Sequence, residues 1–340
     1  MSSRYLARRL VQAALTILFV VVLNFILFRL MPGSPERVLL RNPHLSPELV
    51  AAARARWGLD KDKLPISISL DPPSIRLSPE NQLFDFIASS AQGDLGYSLQ
   101  FRGRSVVDVI AERFWPTILL IGLAEMVAIV VGLALGTYAG WRRGSPLDRV
   151  GNGLSLVLYS MPYFVIGMPL IIIFAAGLHW FPTSGMSSPG QVPGSLVDQA
   201  LDLAGHLVLP LTTISLGLIG GYSILMRASI IETRAEDYIT TARAKGLPDR
   251  RIMTAHAFPN ALLPIVTIVA INLGYVVAGA ITAEIVFNWP GLGTLTVDAL
   301  AARDYPLLQG VFLLLSVTVV LANLAADLLY GVLDPRVRTG

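Results

Sequence analysis

The chain has 340 residues, of which 54% are hydrophobic and only 14% are charged. A soluble domain carries about 25% charged residues, so this composition indicates lipid rather than water as the main solvent. Cysteine is absent, which excludes disulfides, thiolate metal sites and cysteine nucleophiles. The formal net charge of +3 predicts no nucleic-acid partner, because an excess of Lys and Arg in a membrane protein usually reflects its topology.

Six segments are long and apolar enough to cross a bilayer, which requires roughly 20 mostly apolar residues. In chain order they are Leu10–Leu30, Pro116–Gly140, Leu154–Leu178, His206–Met226, Asn260–Phe287 and Pro306–Leu333. The first follows a basic head, as in a signal peptide, but its apolar run is too long and no small-x-small cleavage site follows it. We therefore predict an all-α polytopic membrane protein with six transmembrane helices, the first of which is an uncleaved anchor.

The Lys and Arg residues of the short connections predict the orientation, because cytoplasmic loops are enriched in them. Placing the N-terminus in the cytoplasm puts these residues inside: Arg4, Arg8, Arg9, Arg142, Arg143, Arg149, Arg227, Arg234, Arg243, Lys245, Arg250, Arg251, Arg336 and Arg338. The two short connections on the other side, Trp180–Gly205 and Asn288–Tyr305, carry only Arg303. Both termini are therefore predicted to be cytoplasmic.

The outer connection between the first two spans, residues 31–115, is much longer than the others. Helix-start patterns occur at Ser46-Pro47-Glu48 and at Ser78-Pro79-Glu80, and Ser105 with Asp108 is expected to cap a third short helix that runs into Phe114. The proline-containing stretch Lys61–Leu77 is expected to be irregular. A small lid on the outer membrane surface is favoured over a ligand-binding domain.

Small residues recur at every fourth position within three of the spans, which predicts close packing of helices in lipid. The stripes are Gly132, Gly136 and Gly140; Gly217 and Gly221; and Ala270, Gly274 and Ala278. The last stripe shares its span with Asn272 and Glu284, and polar residues inside a span are functional hypotheses. We predict that this span faces an aqueous path, while a structural hydrogen bond remains an equal alternative for Glu284.

Enzyme signatures are not found in the sequence. It contains neither a His-Glu-x-x-His zinc pair nor a Gly-x-x-x-x-Gly-Lys-Ser/Thr phosphate loop. The four histidines, His44, His179, His206 and His256, have no metal-ligand spacing. We therefore predict a protein that is not an enzyme, with no catalytic residue, no metal site and no bound cofactor.

The cytoplasmic loop between the fourth and fifth spans is the most informative stretch of the sequence. A short helix is predicted over Asp237–Leu247, since acids open it and Pro248 ends it. A second short helix, Asp249–Phe258, leads to Pro259. Ile239, Ala242 and Gly246 form a narrow face of small residues, which suits docking into a groove on another protein. An ordinary solvated loop is the alternative.

This loop resembles the EAA loop of ABC-importer permeases. The resemblance rests on Thr240-Thr241-Ala242, then three residues, Gly246, nine residues and His256-Ala257-Phe258-Pro259. The family pattern is Glu-Ala-Ala, three residues, Gly, nine residues and Ile-x-Leu-Pro, so this chain departs from it at Thr240, Thr241, His256 and Phe258. The longer strings Thr241–Leu247 and His256–Pro264 are similar to the dipeptide/oligopeptide/nickel branch of the family.

Further matches to this branch run along most of the chain. They are Tyr5–Leu10, Met31–Gly33, Gly93–Ser98, Arg142–Ser145 with Asp148-Arg149, Ser160–Phe164, His206–Pro210, Glu284 with Val286-Phe287, Trp289–Gly293, Ala302–Pro306 and Asp334–Arg336. Lys61–Leu77 resembles an insertion relative to the usual branch member.

The resemblance implies a type I ABC importer permease fold in a multi-pass protein of the bacterial cytoplasmic (inner) membrane. The chain is expected to form half of a translocation pore for di- and oligopeptides. Its implied partners are a second, homologous permease, two ABC ATPase subunits that bind ATP and Mg²⁺, an extracytoplasmic binding protein and the lipid bilayer. A nickel chelate, glutathione or haem-like cargo is the alternative within the family. A secondary transporter is a more distant one, which would require repeat-related broken helices that the sequence does not make evident.

The resemblance also assigns candidate site residues. The ATPase-coupling helix comprises Asp237, Tyr238, Thr241, Ala242, Arg243, Ala244, Lys245, Gly246 and Leu247. The candidates for the translocation pathway are Asn272, Glu284, Ser160 and Tyr163. The chain is accordingly divided into residues 1–30 (N-terminal tip and first span), 31–115 (outer connection) and 116–340 (permease core, with the coupling loop at 227–259).

Overall fold

The computed structural model describes residues 3–30, 61–62, 64–70, 73–78, 80–101, 103–188, 190, 194–276 and 281–333. The helices are α1 (Ser3–Leu30), α2 (Gln82–Ala91), α3 (Val106–Trp141), α4 (Pro146–Ser160), α5 (Tyr163–Leu170), α6 (Leu196–Thr233), α7 (Asp237–Ala244), α8 (Asp249–Arg251), α9 (Phe258–Ala261), α10 (Leu263–Tyr275), α11 (Ile281–Val286), α12 (Leu292–Ala301) and α13 (Tyr305–Leu333). The strands are β1 (Ile66–Leu70) and β2 (Pro73–Leu77). Two π-helical stretches, Ile171–Gly177 and Ile252–Ala257, continue α5 and join α8 to α9.

Membrane-spanning helices make up most of the described chain. Four are uninterrupted and apolar enough to cross a bilayer: Tyr5–Phe28, Val106–Trp141, Leu196–Thr233 and Tyr305–Leu328. The third and fifth predicted spans are bent pairs, at 101° between Pro146–Ser160 and Tyr163–Gly177 and at 52° between Asp249–Ala261 and Leu263–Asn272. If each pair is one span, the described residues contain six spans, the number that the sequence predicts. The second pair begins at Asp249, inside the predicted cytoplasmic loop, rather than at Asn260. The helical fold class is confirmed, and broken helices, which the sequence did not make evident, are present.

Prolines explain both bends. Met161 precedes Pro162 and has an extended backbone (φ −80°, ψ 130°), because a following proline disfavours the helical region for the residue before it. The second bend lies at Leu262, where Pro264 enters α10 without an amide hydrogen to continue the helical ladder. The bends therefore follow from local chemistry.

The chain forms two compact units. The larger unit comprises Phe114–Thr294 with Ala322–Gly340, and the smaller unit comprises Ser2–Arg113 with Leu295–Leu321. The division into residues 1–30, 31–115 and 116–340 remains a prediction.

Two matching stripes join α3 to α6 in the larger unit. A Cβ atom added at Gly132 would lie 2.6 Å from Tyr222 Cβ, and one at Gly136 would lie 2.8 Å from Met226 Cβ. A Cβ atom at Gly140 would lie 2.9 Å from Ile230 Cβ. Because both stripes advance four residues at a time, the glycines of α3 let the backbone and Cβ atoms of α6 approach closely along the whole contact. The predicted packing role of this stripe is thus observed.

In the smaller unit, the Asp304 carboxylate joins an outer turn to α13. Its Oδ2 atom accepts hydrogen bonds from the Ser98 hydroxyl (2.5 Å) and the Gln100 amide (2.9 Å), and its Oδ1 atom accepts one from the Leu307 amide (3.1 Å). Asp304 is fully buried, and Asn24 of α1 donates a 3.2 Å hydrogen bond to the Gln309 carbonyl of α13. These bonds hold three parts of the unit together.

The outer connection differs from its prediction at three places. Within the supposedly irregular Lys61–Leu77, β1 and β2 form an antiparallel hairpin in which Ile66 pairs with Leu77. The helix predicted to begin at Ser78 begins at Gln82, because the Asn81 side chain accepts the Phe84 amide and caps it. The helix expected to run only from Ser105 to Phe114 is instead the start of α3. The Ser46 helix start lies outside the described residues.

Candidate functional site

The predicted docking helix is present as α7, and it ends earlier than the sequence indicated. It runs from Asp237 to Ala244 rather than to Leu247. Gly246 has a φ of +75°, a left-handed conformation that glycine adopts without strain and that commonly follows the end of a helix. Gly246 therefore terminates the helix before Pro248 is reached. The following segment, Asp249–Ala261, continues as a helix through Pro259 by way of the π-helical stretch.

Two of the three residues that the sequence assigned to partner docking on α7 are buried within this chain. Ile239 is fully buried and Ala242 nearly so, in a cluster that also contains Trp141, Ile230 and Ile252. Ile239 and Ala242 therefore pack on this chain's own core, while Gly246, the third residue of the predicted face, is exposed. Helical periodicity identified a buried face correctly, and it could not tell an internal contact from an external one.

The opposite side of α7 is open to solvent. The exposed residues are Asp237, Tyr238, Thr240, Thr241, Arg243, Ala244 and Lys245, followed by Gly246, while Leu247 is partly buried. Partial desolvation raises the pKa of the Tyr238 phenol, and the nearby Glu236 carboxylate raises it further, so this hydroxyl stays neutral at pH 7. The exposed side thus offers hydroxyls, one acid and two cations to a partner.

Trp141 connects α7 to the transmembrane helices. Its indole Nε1 donates a 2.6 Å hydrogen bond to Asp249 Oδ2, at the start of the segment after α7. The Arg234 and Arg243 guanidinium groups lie 5.2 Å and 5.8 Å from the centre of its ring. Arg234 also donates a 2.5 Å hydrogen bond to the Trp141 carbonyl. Trp141, the last residue of α3, therefore contacts residues on both sides of α7, Arg234 before it and Asp249 after it.

A buried polar network crosses three helices of the larger unit. The Tyr222 hydroxyl donates a short hydrogen bond to Glu125 Oε1, and Asn272 Nδ2 donates a 2.9 Å hydrogen bond to the same hydroxyl oxygen. Glu125 is only 2% exposed. Asn272 was a predicted pathway residue, while Glu125 and Tyr222 were missed. An acid inside the predicted second span was itself the signal that should have identified Glu125.

Glu284 performs the structural role that the sequence left open. It is fully buried, and its Oε1 atom accepts a 2.8 Å hydrogen bond from the Thr117 hydroxyl. Its Oε2 atom accepts the amides of Gly293 (2.7 Å) and Thr294 (3.1 Å), in the first turn of α12. A carboxylate at this position caps amides that have no partner within the helix. The structural hydrogen bonds of Glu284 are therefore observed, and its pathway role stays a prediction.

The Trp289–Gly293 motif is explained by the same site. A Cβ atom at Gly291 would overlap the Glu284 carboxyl group, and one at Gly293 would lie 2.8 Å from its Oε2 atom. The Trp289 indole is fully buried and donates a 2.9 Å hydrogen bond to the Pro116 carbonyl. The two glycines of the motif therefore leave room for the buried Glu284 carboxyl group, and Trp289 fixes the motif against α3.

The remaining pathway candidates, Ser160 and Tyr163, flank the 101° bend. Ser160 is exposed, and the Tyr163 ring lies against Gly217, where an added Cβ atom would be 2.8 Å from it. Tyr163 also packs on the cluster that contains Ala124, the neighbour of Glu125. The structure therefore brings Tyr163 near the buried polar network and leaves Ser160 at the surface. Among the described residues, no three His, Asp or Glu side chains are grouped to hold a metal ion.

Residues 132–339 match the protein family described as the binding-protein-dependent transport system inner membrane component. A protein of Brucella suis that is named as a peptide permease is 35% identical, over 98% of this chain and 99% of its own. One of Sinorhizobium fredii, named as a peptide ABC transporter permease, is 36% identical over the same shares. The glutathione transport system permease protein GsiC of Salmonella choleraesuis is 35% identical over 98% of both chains.

A solved structure shares the fold. A chain of the inward-facing MetNI methionine ABC transporter superposes with a TM-score of 0.54, over 66% of this chain and 96% of that one. The two are 17% identical, so the likeness concerns the fold alone.

Proposed function

Since the chain belongs to the family of binding-protein-dependent transport system inner membrane components, and is a permease component of an ABC importer, we propose that it carries peptides through a pore shared with a second permease. The second permease is expected to be homologous rather than a copy of this chain. Two ATPase subunits, which bind ATP and Mg²⁺, supply the energy, and an extracytoplasmic binding protein delivers the cargo. The membrane is the bacterial cytoplasmic membrane, in the orientation that the Lys and Arg residues predict.

The peptide cargo is supported by the names of full-length relatives. Proteins named as peptide permeases are 35% and 36% identical across 98% of this chain. Glutathione, the alternative cargo that the GsiC relatives favour, is itself a tripeptide. Both cargoes carry an amino group, a carboxylate and amide bonds, so one class of pathway suits both.

We place the ATPase contact on the exposed side of α7. This side carries Thr241, Arg243 and Lys245, and its helix is held from behind by Ile239 and Ala242. A helix backed by a packed core transmits displacement better than a loose loop, because its contacts cannot reorganise without cost.

Matched threonine variants test this contact. Thr241 and Thr254 are both exposed, and each hydroxyl donates to the carbonyl four residues earlier, at 3.0 Å and 2.9 Å. We expect Thr241→Arg to abolish co-purification of the ATPase subunits with the tagged chain, because it places bulk and charge in the contact. Thr254→Arg should leave co-purification unchanged. Equal recovery of the ATPases with both variants would contradict the assignment.

The cargo is tested on the binding protein that co-purifies with the complete importer. Mass spectrometry of the ligand it releases should identify peptides. A metal chelate as the only ligand would rule out the peptide proposal while leaving the importer assignment intact.

Broken membrane helices are a common feature of secondary transporters, so the two bent pairs support that alternative. Uptake in cells that lack the ATPase subunits separates the two mechanisms, and we expect none. Uptake that persists without ATPases would support the alternative.

For the pathway, we propose that Glu125, Tyr222 and Asn272 replace Glu284 as its polar element. They share one network inside the membrane-spanning region, and Asn272 and the nearby Tyr163 are only partly buried. A carboxylate at this place suits the amino group of a peptide.

A further inference from the structure

We propose that the turn between α3 and α4 binds an anionic phospholipid. A cavity of about 540 Å³ lies at this turn. It is lined by Tyr138, Arg142, Ser145, Pro146, Leu147 and Val150. The site is independent of the cargo and of the ATPase contact, so it goes beyond the proposed function.

One side of the site is apolar and uncovered. Leu147 and Val150 are 58% and 71% exposed, and Leu154 and Val157, further along α4, are 56% and 48% exposed. These four positions follow the spacing of a single helical face. An exposed apolar strip of this kind needs a covering partner, and acyl chains provide one without any specific shape.

The other side of the site is basic. Arg142, Arg143 and Arg149 are all exposed, and none forms an ion pair within the part of the chain that the structure describes. The Arg142 guanidinium group lies 4.9 Å from the centre of the Tyr138 ring, and both residues line the cavity. Arg149 donates a 3.2 Å hydrogen bond to the Gly144 carbonyl, which holds it beside the turn.

The acid in this turn does not neutralise these arginines. Asp148 is buried, and its carboxylate accepts hydrogen bonds from Arg227 Nε (2.5 Å) and Nη2 (2.9 Å). Its Oδ2 atom also accepts the Gly144 amide at 2.8 Å. Arg227 therefore satisfies Asp148 from α6, and the guanidinium groups of the turn keep their positive charge for a ligand.

Adjacent apolar and cationic surfaces select the occupant. A guanidinium group pairs well with a phosphate, and the apolar strip continues from it along α4, as acyl chains continue from a headgroup. A free phosphate ion has no apolar part and would leave the apolar strip exposed. The predicted orientation puts this turn on the cytoplasmic side, where the leaflet surface is negative and each basic residue contributes to lipid binding.

Two arginine doublets provide a matched test. The full chain, purified and delipidated in detergent, is titrated with phosphatidylglycerol and with phosphatidylcholine of the same acyl chains, and bound lipid is counted by native mass spectrometry. We expect preferential binding of phosphatidylglycerol. Replacing Arg142 and Arg143 by Gln should weaken it about thirtyfold, as loss of two basic contacts predicts. The same change at Arg250 and Arg251, a second exposed doublet, should leave the binding of phosphatidylglycerol unchanged.

Three outcomes would overturn the proposal. The first is equal affinity for the two lipids, and the second is an equal loss in both doublet variants. The third is displacement of phosphatidylglycerol by inorganic phosphate at the same concentration, which would assign the site to a free anion.

A measurement on the wild-type chain covers the case in which the Arg142 variant does not fold. Phosphatidylglycerol should slow the reaction of phenylglyoxal with Arg142 and Arg143 and not with Arg250 and Arg251. Equal rates at the two doublets would overturn the proposal just as clearly.

Discussion

The indole Nε1 of Trp141 donates a hydrogen bond to the Asp249 carboxylate across 2.6 Å, although the two residues are 108 positions apart. This bond ties the end of α3 to the segment that follows the docking helix. Arg243, on α7 itself, lies over the same indole ring. Trp141 therefore gives α7 a direct contact with the end of α3.

Trp141→Phe tests this connection. The phenyl ring still offers a surface to Arg234 and Arg243, while Asp249 loses a hydrogen bond of the charged type, which contributes about 1.5–3 kcal/mol. We expect the ATPases to remain bound and peptide uptake per ATP hydrolysed to fall several-fold in proteoliposomes of the complete importer. Trp180→Phe is the control, because that ring is 64% exposed. The same coupling ratio in both variants would contradict the role of Trp141.

Gly291→Ala tests the space reserved for Glu284. The added methyl group would overlap the buried carboxyl group, and overpacking of this kind costs about 1–3 kcal/mol. The midpoint of thermal unfolding of the purified chain should therefore fall. Gly151→Ala, where an added Cβ meets nothing within 4 Å, should not lower it. A Gly291→Ala protein as stable as the wild type would show that Glu284 moves freely.

Asp304→Ala tests the junction in the smaller unit. The change leaves the Ser98 hydroxyl and the Gln100 and Leu307 amides without their acceptor. We expect the outer turn to open more often, so that trypsin cleaves after the exposed Arg104 several times faster than in the wild type. Asp298→Ala, at an exposed position, serves as the control. An unchanged cleavage rate would mean that other contacts hold the turn.

Two substitutions at Glu125 separate its structural and transport roles. Glu125→Gln retains an acceptor for Tyr222, whereas Glu125→Ala leaves the proton of that buried hydroxyl without its acceptor, at a cost of about 1–3 kcal/mol. We expect only the alanine variant to lose thermal stability and both variants to lose peptide uptake. Glu232→Gln, at an exposed position of α6, should affect neither. Normal uptake by the glutamine variant would remove Glu125 from the pathway.

Composition and local patterns predicted much of this fold. The apolar runs located the spans, and the stripe at Gly132, Gly136 and Gly140 marked a true helix contact. The 101° bend was also readable, since Pro162 restricts Met161, but the apolar run that crosses it concealed the break.

Contacts between distant residues were beyond local reasoning. Nothing near Trp141 indicates Asp249 as its partner, and nothing near Glu284 indicates the amides of Gly293 and Thr294 as its donors. Ile239 and Ala242 were assigned to a partner contact because helical periodicity shows that a face is covered and does not show by which chain. Glu125 was missed although its charge alone made it a candidate.

The interlocked stripes of α3 and α6 have a consequence for how the chain moves. The three glycines of α3 lie directly against backbone and Cβ atoms of α6 near Tyr222, Met226 and Ile230, so neither helix can slide along the other without a steric clash. The two helices should therefore rotate as one rigid body. The flexible points are then the proline bends at Met161 and Leu262, which give the helices on either side freedom to change their angle. A disulfide engineered between α3 and α6 should leave transport intact, whereas one that fixes either bend should stop it.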